Sequence, residues 1–274
     1  MARSINSAKK SLGQHFLHDG KVLRKIVNAA KVDETDHILE IGPGKGHLTK
    51  KLLLKGCSVT AIELDHDLVI GPLTDIASNP KLEIVEGDAR TVDLKNFIAK
   101  TTQFKLVANL PYNAGTNILR SILLSDLPPQ LSVVMLQKEV ARNITASQGK
   151  SDILSSFFQA YYHTNFHFNV QPRSFNPQPK VMSGVISLER KESPLLPKCL
   201  HHDYFLFLTC GFAAPRKQLH NSLSQGLKIS IPEVKDVSSQ LGLNSELRPA
   251  ALGVEEWVAV FKKFHGIKYI PKPQ

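Results

Sequence analysis

Short apolar, β-branched runs alternate with amphipathic helical patterns along most of this chain, and that alternation restricts its fold more than any other feature. The runs are "HILEIG" (37–42), "SVTAIELD" (58–65), "LEIVEGD" (82–88), "KLVANL" (105–110), "LSVVMLQ" (131–137), "NFHFNV" (165–170) and "MSGVISLE" (182–189). Helical patterns fall between most of them, including "HLTKKLLLKG", closed by Gly56, "TNILRSILLS" and "KEVARNITA". Residues 21–32 also form one, with Val22, Leu23, Ile26, Val27 and Ala30 at helical spacing and basic residues on the other face. Near-continuous apolar strands must be covered on both sides, so the pattern predicts an α/β fold: a mostly parallel sheet with helices on both faces. The last two runs lack a clear helix between them, which predicts an antiparallel hairpin at one edge. The charged, Pro-containing stretch "ERKESPLLPKC" (189–199) then ends the alternation, and every later segment reads as helix. The expected organisation is a catalytic-size domain over 1–191, opening with a basic arm at 1–20, and a small all-helical domain over 192–274.

The chemistry collects where the strands end. "EIGPGKGHL" puts Gly42, Gly44 and Gly46 at the turn from the first strand into a helix, where open α/β sheets bind ligands and glycine lets backbone approach closely. A dinucleotide fingerprint needs its third glycine at position 47, which is His47, and the phosphate-loop motif is absent. Glu63 closes the second strand about 20 residues after Gly42, the distance at which an acid accepts hydrogen bonds from ribose hydroxyls. Asp88 closes the third strand, where an acceptor-only carboxylate can accept a hydrogen bond from an adenine amine. Asn109 closes the fourth. Either acid alone reads more readily as a helix N-cap, and "NLPY" (109–112) alone reads as a turn. As an ordered set they describe a site for an adenosine cofactor without phosphates, and S-adenosylmethionine fits that description.

Charge points to the partner. The 274 residues carry 34 Lys and Arg against 24 Asp and Glu, a net charge of +10 with a pI near 9.5, which suits a polyanion such as nucleic acid. Cys57, Cys199 and Cys210 are odd in number and widely spaced, arguing against a disulfide framework or zinc site and for a reducing compartment; no metal is expected. No apolar run approaches the roughly 18 residues of a spanning helix, so a soluble protein is expected, with no membrane partner. The start, "MARSINSAKKSLGQHFL", is basic and acid-free like a transit peptide, but it is short and runs straight into the first structured segment, so the expected location is cytoplasmic. With no oligomerisation signature, a monomer is expected.

The chain resembles the Rossmann-like methyltransferases, and within them it is similar to the KsgA-type rRNA adenine dimethyltransferases. The segments that carry the resemblance are "KKSLGQHFLHD" (9–19), "ILEIGPGKGHLT" (38–49), "AIELD" (61–65), "VEGDAR" (85–90), "VANLPYN" (107–113), "MLQKEVARNITA" (135–146) and "FNVQPRSFNPQPKVMSGVI" (168–186). The resemblance implies that His15 and Leu17 touch the cofactor, that Gly42 lies against its methionine part, and that Glu63 holds the ribose. It further implies that Asp88 reads the adenine amine and that Asn109 sits beside the cofactor. In the catalytic set it implies that the Asn109 side-chain oxygen and Leu110 carbonyl accept the hydrogens of the target amine, that Pro111 fixes the turn, and that Tyr112 and Phe175 stack on the two faces of the base. Lys9, Lys10, Arg142, Arg173, Lys180, Arg216 and Lys217 are candidates to follow phosphates. Here the family's last basic cluster carries Pro215 in place of its first basic residue.

The implied activity is transfer of two methyl groups to each of two adjacent adenosines in a hairpin near the 3′ end of small-subunit rRNA. The substrate would be the RNA, the small subunit or its precursor, with a role in small-subunit biogenesis. The alternatives are the related resistance-type methyltransferase of large-subunit rRNA, and a non-catalytic RNA-binding assembly factor that keeps the fold.

Overall fold

The structure, a computed structural model, describes residues 9, 14–98 and 103–266. Most of the arm at 1–20, Lys10 included, lies outside the described residues. The chain divides into two compact units: Met1–Ala141 with Asn165–Glu189, and Arg142–Thr164 with the chain from Arg190 onward.

The first unit opens with a short strand β1 (Phe16–Leu17) and helix α1 (Gly20–Ala29). Asp19 starts α1 by accepting from the Lys21 and Val22 amides, and Leu23, Ile26 and Val27 form its buried stripe, as the spacing predicts. The alternation follows: β2 (His37–Ile41), α2 (His47–Leu53), β3 (Ser58–Glu63), α3 (His66–Val69), α4 (Thr74–Ala77), β4 (Leu82–Glu86), α5 (Lys95–Ile98), β5 (Lys105–Asn109), α6 (Gly115–Leu123), β6 (Leu131–Gln137) and α7 (Lys138–Ile144). After it come α8 (Ile153–Tyr161), β7 (Tyr162–Val170), a two-residue strand β8 (Phe175–Asn176) and β9 (Ser183–Arg190). The seven-stranded sheet runs β4-β3-β2-β5-β6-β9-β7, and β1 pairs with β8 in a separate ribbon.

The pairs from β4 through β6 are all parallel, whereas β6 and β9 are antiparallel, with Met135 facing Val185. The two edge strands expected to form a hairpin, β7 and β9, do lie side by side. Ile38, Val59, Val107, Val133 and Val185 from five strands share one core with Ile26 and Val27 of α1. Truncating one such side chain, Ile26→Ala for example, costs about 2–5 kcal/mol. Strand order reverses at β2, whose neighbours are β3 and β5, and ligands of such sheets bind outside the carboxyl ends at that point.

The second unit is aromatic at its centre. After β9 it contains α9 (His201–Gly211), α10 (Leu219–Leu227), α11 (Ile231–Gln240) and α12 (Val254–Gly266). Tyr204, Phe207, Trp257 and Phe261 are fully buried and meet mostly edge to face. A capping box between Ser230 and Glu233 starts α11. Helix α8 belongs to this unit, because the Phe157 ring packs on Tyr204 and Phe205; the unit therefore takes in residues ahead of the expected boundary at 192. No helix among the described residues is long and apolar enough to cross a membrane.

Candidate active site

At the strand-order reversal the first unit encloses a cavity of about 380 Å³. The four strand ends singled out by sequence meet there. Gly42 follows β2 at φ +67°, where a Cβ is strained, and a Cβ placed there would lie 4.0 Å from the Asn109 carbonyl oxygen. Glu63, Asp88 and Asn109 follow from β3, β4 and β5. His15, Leu17, Leu110, Pro111 and Tyr112 line the same cavity, so nine of the ten residues proposed from sequence come together.

The three acids differ in how far their oxygens are committed. Glu63 is buried and accepts from the Gly44 and Asp65 amides, both at 3.0 Å, and burial raises its pKa. Asp88 receives the Arg90 backbone amide at 2.9 Å and the Arg90 guanidinium on both oxygens, and the guanidinium holds its pKa below the usual carboxylate range. An adenine amine offered to Asp88 therefore shares that carboxylate with Arg90. Glu40, one strand residue inside the cavity rim, is the acid the sequence reading missed. It is 1% exposed, its Oε2 makes no close hydrogen bond among the described residues, and burial pushes its pKa up to about 8 against the opposing influence of the neighbouring Thr49 hydroxyl. A buried carboxyl oxygen left without a partner costs free energy unless something else fills the place.

Asn109 is oriented by the arm. Its Nδ2 donates to the His15 carbonyl at 3.2 Å, and that acceptor assigns nitrogen to one side and leaves Oδ1 as an acceptor on the other. Pro111 begins the turn into α6, its carbonyl accepting from Gly115 at 2.7 Å. Tyr112 shares a short hydrogen bond with the buried Ser183 hydroxyl, which fixes the ring, and the His15 ring lies against it at a centroid distance of 5.4 Å. Ser183 was not singled out from sequence, since a serine opening a strand carries no signal of its own.

The expectation of a stacking face at Phe175 is corrected. β8 pairs Phe175 with Leu17 of β1, and its ring, 1% exposed, packs in the sheet core instead of lining the cavity. Lys9 also departs from its expected role, because its ammonium is spent on Asp65 and Asp67. Arg173, Lys180, Arg216 and Lys217 are exposed.

Comparison with known proteins places this arrangement in a family. The family model described as "Ribosomal RNA adenine dimethylase" matches residues 5–265. The ribosomal RNA small subunit methyltransferase A of Dehalococcoides mccartyi (strain CBDB1) is 34% identical over 259 residues, covering 94% of this chain and 89% of that protein. The protein of the same name from Geobacter metallireducens is 38% identical over 260 residues, covering 92% and 94%. Among solved structures, a dimethyladenosine transferase from Plasmodium falciparum superposes with a TM-score of 0.78 at 26% identity, over 92% of this chain and 98% of that one. The 23S rRNA methyltransferase ErmE superposes with a TM-score of 0.71 at 25% identity, over 91% and 99%. The chain therefore belongs to the ribosomal RNA adenine dimethylase family, methyltransferases of rRNA adenine that draw their methyl group from S-adenosylmethionine.

Proposed function

We propose that this protein dimethylates the exocyclic amines of two adjacent adenosines in a 3′-end hairpin of small-subunit rRNA, acting on the small subunit or its precursor in the cytoplasm. The observation that carries the reading is Asn109: a side-chain oxygen with its amide nitrogen held away on His15, at the rim of a cavity suited to the cofactor. Support for the small subunit comes from the names of the curated relatives.

The cavity's donor set fits S-adenosylmethionine. Glu63 and Asp88 are acceptors for ribose and adenine, Gly42 allows close approach, and Glu40 offers an unspent buried acceptor to a cationic group. His15 and Leu17 complete the wall. When bound, the cofactor supplies a sulfonium methyl. The chain's part is to make a poor nucleophile attack it. The adenine amine is weak because its lone pair is delocalised into the ring. Asn109 Oδ1 and the Leu110 carbonyl accept its two hydrogens, draw the nitrogen toward tetrahedral geometry and free the lone pair. These hydrogen bonds strengthen as positive charge develops on nitrogen, so positioning and electrostatics carry the catalysis without a strong general base. Tyr112, fixed by Ser183, is the stacking platform, and a base held there has left its own stack.

The second unit is assigned to RNA and ribosome binding, with Arg216 and Lys217 exposed for phosphate contact. The enzyme is read as a monomer. Incubation with labelled S-adenosylmethionine and undermethylated small subunits, in parallel with large subunits and naked RNA, tests the proposal once the modified bases are mapped. Label on paired adenosines of small-subunit RNA is the expected result, and label confined to large-subunit RNA would sink it in favour of the resistance-type reading.

A further inference from the structure

An ion-pair cluster centred on the buried Asp65 carboxylate adjoins the cavity-lining segment at Gln14, and the chemistry above makes no use of it. The Asp65 side chain, 2% exposed, accepts from Lys9 Nζ at 2.5 Å, Gln14 Nε2 at 2.7 Å and the Asp67 amide at 3.2 Å. Lys9 Nζ also meets Asp67 at 2.7 Å, and the Lys9 amide donates to Gln14 Oε1 at 2.7 Å. Lys9 and Gln14 thus grip one carboxylate and each other. Burial alone would raise the Asp65 pKa, but the hydrogen bonds from Lys9 and Gln14 hold it below the usual range, so the carboxylate stays charged.

Two features connect this cluster to the site. The Asp65 amide donates to Glu63 Oε1, so the residue that anchors the arm also holds the ribose acid. Gln14 begins the cavity-lining segment that continues through His15, Phe16 and Leu17. The His15 carbonyl in that segment orients Asn109, and the Leu17 carbonyl is bonded to His47 at 2.8 Å.

We infer that Asp65, Lys9 and Gln14 form a clasp of positioning residues that sets the cofactor-binding wall. Through the clasp, placing the Gln14–Leu17 segment and setting the ribose acid Glu63 become one event. The inference rests on the cavity being the S-adenosylmethionine site. An unclasped wall must be ordered at the expense of cofactor binding, so apparent affinity falls by the fraction of molecules already in place. Bound cofactor restores the wall and with it the orientation of Asn109, so the loss falls mainly on the cofactor KM and less on kcat.

The test is calorimetric titration of the full chain with S-adenosylhomocysteine, together with ligand-free thermal unfolding and steady-state kinetics on undermethylated small subunits. Asp65→Asn is expected to weaken binding about tenfold, and Lys9→Met, a change at a half-exposed side chain, several-fold. The double variant should be no weaker than Asp65→Asn alone, because both break one unit. Lys9→Arg should restore most of the affinity. In Lys9→Met, with affinity read on the folded fraction, the cofactor KM should rise by a larger factor than kcat falls. Wild-type affinity in Lys9→Met, whatever the stability of Asp65→Asn, would overturn the clasp and leave the reading of the cavity standing. No binding by the wild type would overturn both.

Discussion

The two ends of the central sheet are built from similar residues and put to different use. At the amino ends, Lys105 of β5 donates to Asp36 Oδ2 at 2.7 Å and to the Lys31 carbonyl at 2.8 Å, while Asp36 also takes the Asp33 amide and His37 pairs with Thr60. Both members of the Lys105–Asp36 pair are about a tenth exposed, and the bonds of the pair stay within the fold. At the carboxyl ends, Glu40 keeps an oxygen without a partner among the described residues and Asn109 keeps its side-chain oxygen, while Glu63, its pKa raised by burial, takes one backbone amide on each oxygen. Satisfied polar groups hold a fold together; polar groups left with capacity at a cavity can serve a ligand. The difference separates the stability of this sheet from its chemistry.

Substitutions at the two ends should therefore fail in different ways. The largest effect is expected at the amino end: Lys105→Met leaves Asp36 buried without its counter-charge and should cost about 3–5 kcal/mol in denaturant unfolding. Affinity for S-adenosylhomocysteine, measured on the folded fraction, should stay near wild type. At the carboxyl end, Glu63→Ala should weaken that affinity by about tenfold to a hundredfold, with a smaller loss of stability than Lys105→Met, since only the Gly44 and Asp65 amides lose their acceptor. Equal losses of stability and affinity in both variants would erase the distinction.

Glu40 sharpens it through pH. Its folded value, raised to about 8, lies above that of the unfolded chain, so its contribution to stability is complete below the ordinary carboxylate range and is lost as pH rises to about 8. Glu40→Gln should flatten that fall. A cationic ligand favours the ionised form, so binding should release on the order of one proton just below pH 8 and tighten as pH rises. Titration in buffers of different ionisation enthalpy reads the proton directly, and Glu40→Gln should abolish its release. The smallest effect is expected for Tyr112→Phe, which loses the Ser183 hydrogen bond but keeps the ring; methyl transfer should fall by no more than about tenfold.

The strand ends were legible because an apolar run that stops at a glycine or a polar residue marks where a strand meets its loop, and Gly42, Glu63, Asp88 and Asn109 are all of that kind. Glu40 was not legible: inside "HILEIG" it sits among buried strand residues, and only tertiary placement shows that its neighbours leave one oxygen unpaired. Phe175 misled because sequence gives no side-chain direction in a proline-rich loop, and pairing of β8 with β1 turns the ring into the core. Helix α8 carries apolar residues on nearly every face, so it lacks the amphipathic period that reveals α1. The Lys9–Asp65 pair joins residues far apart in the chain, which no local pattern reports.

The central claim is that the carboxyl-end cluster performs the transfer and that Asn109 acts on rate and not on cofactor binding. Single-turnover methyl transfer by Asn109→Ala to undermethylated small subunits, at saturating S-adenosylmethionine, tests it most directly. A fall of about a hundredfold to a thousandfold, with S-adenosylhomocysteine affinity largely retained, is the result expected for loss of one preorganised acceptor. Full-rate transfer by the variant would contradict the account.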